Sequence, residues 1–106
     1  MFIRALSNEV NPKAWMERLN VEGGGHKIMM EKMHLHLFYI QGLHAGAANI
    51  LKQDALSIGA DLAVPKSTIL CEKPYVDCIL MGTRKQMRIL SRKELAQPFG
   101  LKGLAK

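Results

Sequence analysis

The residues best suited to chemistry lie in one segment near the C-terminal end of the chain. An apolar run is followed there by small residues at a predicted helix start and by basic residues along one helix face: Gly82, Thr83, Arg84, Lys85, Arg88 and Arg92. Free backbone amides at a helix N-terminus attract anions, and the helix dipole adds to that attraction. Basic side chains spaced by four residues suit a phosphate or a nucleic-acid backbone. The alternative is a solvent-exposed helix face that simply carries charge.

The charge of the chain is concentrated around this segment. Residues 84–106 hold seven Lys or Arg residues and one acidic residue, so their net charge equals the +6 of the whole chain. Such a local excess favours an anionic ligand or surface as the partner. Binding of RNA is less favoured, because none of the six aromatic residues interleaves with the basic row.

Other residue types predict no catalytic residue, metal site or cofactor site. Cys71 and Cys78 are expected to be reduced, because no secretory signal precedes them. His34 and His36 share one face of a predicted strand, but no third metal ligand accompanies them. The run Gly23–Gly25 lacks the Lys-Ser/Thr of a phosphate-binding loop, so a flexible loop is favoured. No Ser/His/Asp set, paired carboxylates or Cys/His pair can be recognised.

The pattern of apolar residues predicts the elements that position these side chains. Strands are expected at 2–6, 34–40, 60–64 and 76–81, and helices at 12–20, 45–58 and 84–96. Asn11 is the expected N-cap of the first helix, and Thr83 with Gln86 forms an expected capping box for the last. The strand at 34–40 becomes apolar on both faces, which is typical of a strand covered on both sides.

These elements predict a single small α/β domain over residues 1–96, followed by a tail or linker at 97–106. The order strand, helix, strand over residues 34–64 predicts a βαβ unit. The fold class is therefore a mixed, mostly parallel sheet of about four strands with three helices. No apolar run is long enough for a membrane span, so a soluble, cytoplasmic chain without a membrane partner is expected.

Three stretches in the same order resemble the region before the catalytic barrel of bacterial and archaeal dihydropteroate synthases. They are residues 48–61 (ANILKQDALSIGAD), 77–86 (DCILMGTRKQ) and 97–102 (QPFGLK). The residues taken as family-like are Asn49, Lys52, Gln53, Gly59, Gln97, Pro98, Phe99 and Gly100. The resemblance extends over roughly residues 45–104, and the triple glycine departs from it.

The resemblance implies an accessory domain of a transferase in folate biosynthesis. That family condenses dihydropterin pyrophosphate with p-aminobenzoate, using residues of the barrel. The barrel motif Asn-x-Thr-Pro-Asp-Ser-Phe is absent from this chain, so no catalytic residue can be assigned. The implied partners are a catalytic barrel of the same or a separate chain, a second copy of the domain, or an anionic ligand. The alternatives are an independent anion- or RNA-binding module that uses the 82–92 helix face and, less favoured, a free-standing enzyme.

Overall fold

A computed structural model describes residues 1–94 of the chain. The helices are α1 (Pro12–Arg18), α2 (Gly23–Met30), α3 (Ala45–Ser57) and α4 (Arg84–Glu94). The strands are β1 (Leu35–His44), β2 (Asp61–Ala63) and β3 (Tyr75–Thr83), and a single 3-10 turn spans Lys66–Thr68. Among these residues, no helix is long and apolar enough to cross a membrane.

The sheet is antiparallel throughout, with the strand order β1-β3-β2. Both β1 and β2 pair with β3, so they run in the same direction but never touch each other. This is a split βαβ arrangement. The prediction of a mostly parallel four-stranded sheet was therefore wrong: β3 returns beside β2 and inserts between the two strands that α3 connects.

Two local predictions also failed in the N-terminal third. Residues 2–6 form no strand; they lie exposed on the surface without a pairing partner among the described residues. The triple glycine begins α2, which makes four helices where three were expected. The end of α2 is fastened to α4, since the amide of Lys85 donates to the carbonyl oxygen of Glu31 at 3.0 Å. That tertiary contact helps to hold a helix whose first turn has poor intrinsic propensity.

The predicted helix caps are confirmed. The Asn11 side chain accepts a hydrogen bond from the amide of Ala14, and Pro12 opens α1. At α4, the Thr83 amide donates to Gln86 Oε1 at 2.8 Å, and the Gln86 amide donates to Thr83 Oγ1 at 3.3 Å. These short-range hydrogen bonds depend only on neighbours in the sequence, which is why the local pattern predicts them.

The core lies on one face of the sheet, beneath α3 and α4. Alternate residues of β3 point into it, and α3 contributes mainly alanines, which allow a close approach. The core residues include Ala48, Leu51, Ala55, Leu62, Val76, Cys78, Leu80 and Leu90. The opposite face is open among the described residues, and exposed apolar side chains occupy it. Those on β1 and β3 are Leu35, Leu37, Tyr39, Tyr75 and Ile79.

The strand predicted at 34–40 is confirmed, but its environment differs from the prediction. β1 is an edge strand that pairs only with β3 within residues 1–94. Leu37, Phe38 and Tyr39 remain exposed, so neither face of this part of the strand is fully covered. An apolar pattern indicates that a strand is stable when both of its faces are covered. Whether other elements cover those faces depends on the topology.

Candidate anion-binding cleft

The predicted anion-binding segment has a helix N-terminus whose amides are largely occupied. The capping box uses the amides of Thr83 and Gln86, and Lys85 donates its amide to Glu31. Gly82 is packed closely, because an added Cβ would lie 3.0 Å from atoms of Gln86 and Met87. Anion binding here would therefore depend on the side chains of the basic row.

The basic row is divided by its surroundings. Arg88 forms an ion pair with Glu31, with 2.6 Å between Nη2 and Oε2. Arg84 lines a cleft beside α2, whereas Arg92 lies exposed one turn beyond Arg88. The first arginine and the last are thus separated by a guanidinium whose charge Glu31 already balances. Binding of an anion by this row remains a prediction, and its cleft-side member is Arg84.

The cleft that contains Arg84 has a volume of about 550 Å³ and lies among α1, α2, β1 and α4. Its lining includes three basic side chains and three imidazoles: Lys13, Lys27, Arg84, His26, His34 and His36. Glu31 also lines it, but the carboxylate of Glu31 is paired with Arg88. The unbalanced charge in the cleft is therefore positive, and a small anion is the chemistry that this lining favours.

Two of the imidazoles are oriented by backbone carbonyl groups. His26 Nε2 donates to the Val21 carbonyl oxygen at 2.6 Å, and His34 Nε2 donates to that of Val10 at 2.8 Å. A carbonyl oxygen only accepts, so Nε2 carries the proton in both rings. No group of three or more metal-ligating side chains occurs within the part of the chain that the structure describes.

The triple glycine contributes its first residue to this cleft, a position that the sequence did not reveal. Gly23 lines the cleft, and neither Gly23 nor Gly24 has another group within 4 Å of where a Cβ would be. The α2 N-cap, Glu22, makes no side-chain capping bond, in contrast to the capping box of α4. The predicted loop is thus a helix start beside basic side chains. In the sequence, the only indication of this cleft is that His26 and Lys27 directly follow the glycines. Lys13 and Arg84 are brought to the cleft by the fold.

The family-like residues on α3 have structural partners. The Asn49 side-chain amide donates to the Thr68 carbonyl oxygen at 2.8 Å. Lys52 Nζ lies 2.8 Å from Asp61 Oδ1 and 2.9 Å from the Leu62 carbonyl oxygen. These bonds fasten α3 to β2 and to the 3-10 turn. Gln53 lies exposed on α3.

The turn after α3 depends on Gly59. This residue has a φ of +82°, a conformation that side chains rarely adopt, and a Cβ here would lie 3.2 Å from Gln86 Nε2. The remaining family-like residues lie outside the described residues: Gln97, Pro98, Phe99 and Gly100.

Two side chains outside the cleft have shifted acidities. The ammonium group of Lys52 and the amide of Leu62, both hydrogen-bonded to Asp61, hold the pKa of that carboxyl below its usual value. Burial, and secondarily the charge of Asp77, raise the pKa of the Cys78 thiol. Cys71 and Cys78 are both free thiols, as predicted. Neither shift lies at the cleft, so neither identifies a catalytic group there.

Comparison with known proteins identifies one informative relative. The chain is 41% identical over 100 residues to the bifunctional dihydropteroate synthase/dihydropteroate reductase of Helicobacter pylori. The alignment includes 91% of this chain but only 26% of that protein, so the chain spans about a quarter of its relative's length. No protein-family model and no solved structure matches the chain. The chain is thus related to a region of an enzyme that contains a dihydropteroate synthase.

Proposed function

We propose that this chain is a non-barrel accessory domain of a folate-biosynthetic enzyme of the dihydropteroate synthase type. The similarity over 91% of the chain is the observation that carries the proposal. The dihydropteroate synthase motif absent from this sequence would then belong to the remainder of such an enzyme. The domain acts by packing on the catalytic part, and a cytoplasmic location stays a prediction.

The open face of the sheet supports a role in packing. Its side chains Leu37, Tyr39, Tyr75 and Ile79 are large, apolar and at least 40% exposed. Contiguous exposed apolar surface is typical of a face that meets another protein surface. The catalytic part of the enzyme is the partner that the relative's additional length favours.

A reconstitution assay tests this proposal. Formation of dihydropteroate from dihydropterin pyrophosphate and p-aminobenzoate would be measured for the chain alone, for the H. pylori relative without its matched region, and for the mixture. We expect no turnover by the chain alone and higher activity in the mixture than in the truncated enzyme. Turnover by the chain alone would show that it is catalytic, and an unchanged mixture would contradict packing on the catalytic part.

The reductase activity of the relative favours a second candidate function, a part in the dihydropteroate reductase reaction. The relative has two named activities, and this chain does not carry the synthase motif. Reduction of a dihydropterin C=N bond requires a hydride from a donor, such as a reduced nicotinamide or flavin nucleotide, and a proton. Such donors carry phosphate groups, which the basic lining of the cleft would suit.

Binding of a phosphate-bearing donor can be tested directly on this chain. Amide chemical shifts would be followed while NADPH, reduced flavin mononucleotide or dihydropterin pyrophosphate is added at low and moderate salt. The reductase candidate predicts shifts around Gly23, His26 and Arg84 with a nucleotide, which weaken with salt and in Arg84→Ala. Arg92→Ala is the matched control, because Arg92 lies on the same helix outside the cleft. Shifts with the pterin alone would support the anion-binding alternative, and no shifts would contradict both.

A further inference from the structure

The edge strand β1 has the sequence of a central strand. Leu37 and Tyr39 point to the open face of the sheet and are 64% and 63% exposed, and Phe38 points to the other face and is 49% exposed. Strands that are apolar on both faces ordinarily lie inside a sheet that is covered on both sides. The full span Leu35–His44 contains no Lys, Arg, Asp or Glu, which are the residues that usually protect an edge from pairing.

The hydrogen bonds of Leu35 reveal which backbone groups of β1 face outward. The Leu35 amide donates to Asn8 Oδ1 at 2.9 Å, and Asn8 Nδ2 donates to the Leu35 carbonyl oxygen at 3.0 Å. Leu35 therefore directs both groups away from β3. Because outward and inward residues alternate in an antiparallel ladder, Leu37 and Tyr39 also direct their amide and carbonyl groups outward. No described residue hydrogen-bonds to those four groups.

The opposite edge of the sheet is closed at the corresponding position. Leu62 of β2 directs its backbone outward, where its amide donates to Asp61 Oδ1 at 2.7 Å and its carbonyl oxygen accepts from Lys52 Nζ at 2.9 Å. On β1, Asn8 closes one end of the edge, and the irregular register between Ile40 and Leu43 ends the regular ladder at the other. The unpaired section is thus confined to residues 37–39.

We propose that two copies of this chain pair antiparallel through residues 37–39 of β1. A two-fold axis at Phe38 places Leu37 opposite the partner's Tyr39, and Tyr39 opposite the partner's Leu37. Each pair exchanges two hydrogen bonds, so all four outward groups of each copy find a partner. The two three-stranded sheets become one six-stranded sheet.

The register is self-complementary, which is the reason that a second copy is the occupant. A two-fold axis at Phe38 requires that the residues on either side of it direct their amide and carbonyl groups to the same side of the strand. Leu37 and Tyr39 both direct these groups outward. Phe38 meets the partner's Phe38 directly across the axis, as a close aromatic pair on the face that carries the helices. Neither copy contributes a charged residue to the paired section. The association goes beyond the proposed function, because it requires neither the catalytic part nor a ligand.

Disulfide trapping tests the pairing in the 106-residue chain. The variants carry Cys71→Ser, which removes the exposed native thiol, together with either Phe38→Cys or His36→Cys. Residues opposite each other at the axis have Cα atoms close enough for a disulfide, whereas the two copies of residue 36 lie about 14 Å apart. Under mild oxidation, we expect at least about tenfold more cross-linked dimer from Phe38→Cys than from His36→Cys. Equal cross-linking would overturn the proposed register.

Sedimentation of the unmodified chain provides an independent measurement. A short paired section gives a weak dimer, so dimerisation is expected to increase over the micromolar to millimolar range. Phe38→Lys should abolish it, because like charges would face each other at the axis. Ile79→Lys is the matched control: it adds the same charge to the open face, but on the central strand. A monomer at all concentrations, or loss of the dimer only with Ile79→Lys, would overturn edge pairing in favour of no association or of face-to-face packing. Neither measurement depends on dihydropteroate synthesis. The dimer can therefore be disproved without any consequence for the proposed function.

Discussion

The two faces of the sheet have different environments, although they alternate along the same strands. On one face Leu62, Val76 and Cys78 are at most 5% exposed and pack beneath α3 and α4. On the other, Tyr75 and Ile79 of the same strand β3 are 62% and 40% exposed. The stability of the isolated chain should therefore reside in the covered face, while the open face remains available for other surfaces.

The largest difference is expected from truncating one leucine on the covered face. Leu62→Ala removes a fully buried side chain and leaves a cavity, so the free energy of unfolding should fall by about 2–5 kcal/mol. Ile79→Ala is the open-face counterpart, and its cost should be below about 1 kcal/mol. Urea unfolding of both variants measures the difference. Similar losses would mean that the open face is covered in solution.

A smaller loss is expected where α3 turns into the covered face. Gly59→Ala forces a side chain into a left-handed conformation and against Gln86, at a cost of about 1–2 kcal/mol in unfolding free energy. Gly24→Ala in α2 is the matched control, because a Cβ there meets nothing within 4 Å and alanine favours the helix. Thermal unfolding should move in opposite directions for the two variants. A destabilised Gly24→Ala would reveal a requirement for glycine beside the cleft.

The two thiols report the same contrast through their reactivity. Cys71 is exposed, whereas Cys78 is buried on the covered face and its pKa is raised by burial and by Asp77. Because the thiolate is the reactive form, Cys71 should be alkylated at least about tenfold faster than Cys78 in the native chain. Mass spectrometry after iodoacetamide treatment measures both rates. Equal rates without denaturant would show that the covered face opens readily.

The smallest effect is expected at the β2 edge, where Lys52 bonds to Asp61. The pKa of Asp61 is lowered in the folded state, so its contribution to stability is present above the carboxyl's unfolded pKa and is lost as the pH falls through the folded value. Lys52→Met should lower stability near neutral pH and weaken the acid dependence. Urea unfolding between pH 2 and pH 7 would compare it with Lys13→Met, whose ion pair with Glu17 is long and exposed. An identical acid dependence in Lys52→Met and the native chain would contradict this assignment.

The cleft could be predicted only in part. Arg84 was recognised because it follows a strand and begins a basic helix, which are local signals. Lys13 reaches the same cleft from α1. Gly23 and Lys27 reach it from α2, which is fastened to α4 through the contacts of Glu31 with Lys85 and Arg88. Those contacts link residues more than 50 positions apart, and no single-sequence period reports them. The prediction of free amides at the start of α4 was wrong because a distant residue occupies one of them: the Lys85 amide donates to the Glu31 carbonyl oxygen.

The local features could be predicted from the sequence alone: the caps at Asn11 and Thr83, the helix over residues 45–57 and the alternation of β3. Each depends on neighbours within a few positions, where backbone geometry and side-chain spacing act directly. The strand directions in the sheet, the edge position of β1 and the assembly of the cleft depend instead on tertiary contacts. Strand order depends on how the apolar faces can be buried while the fewest backbone groups are left without hydrogen bonds. That compromise involves all of the described residues. An apolar β1 was visible in the sequence, but only the insertion of β3 showed that its outer edge has no partner strand among residues 1–94.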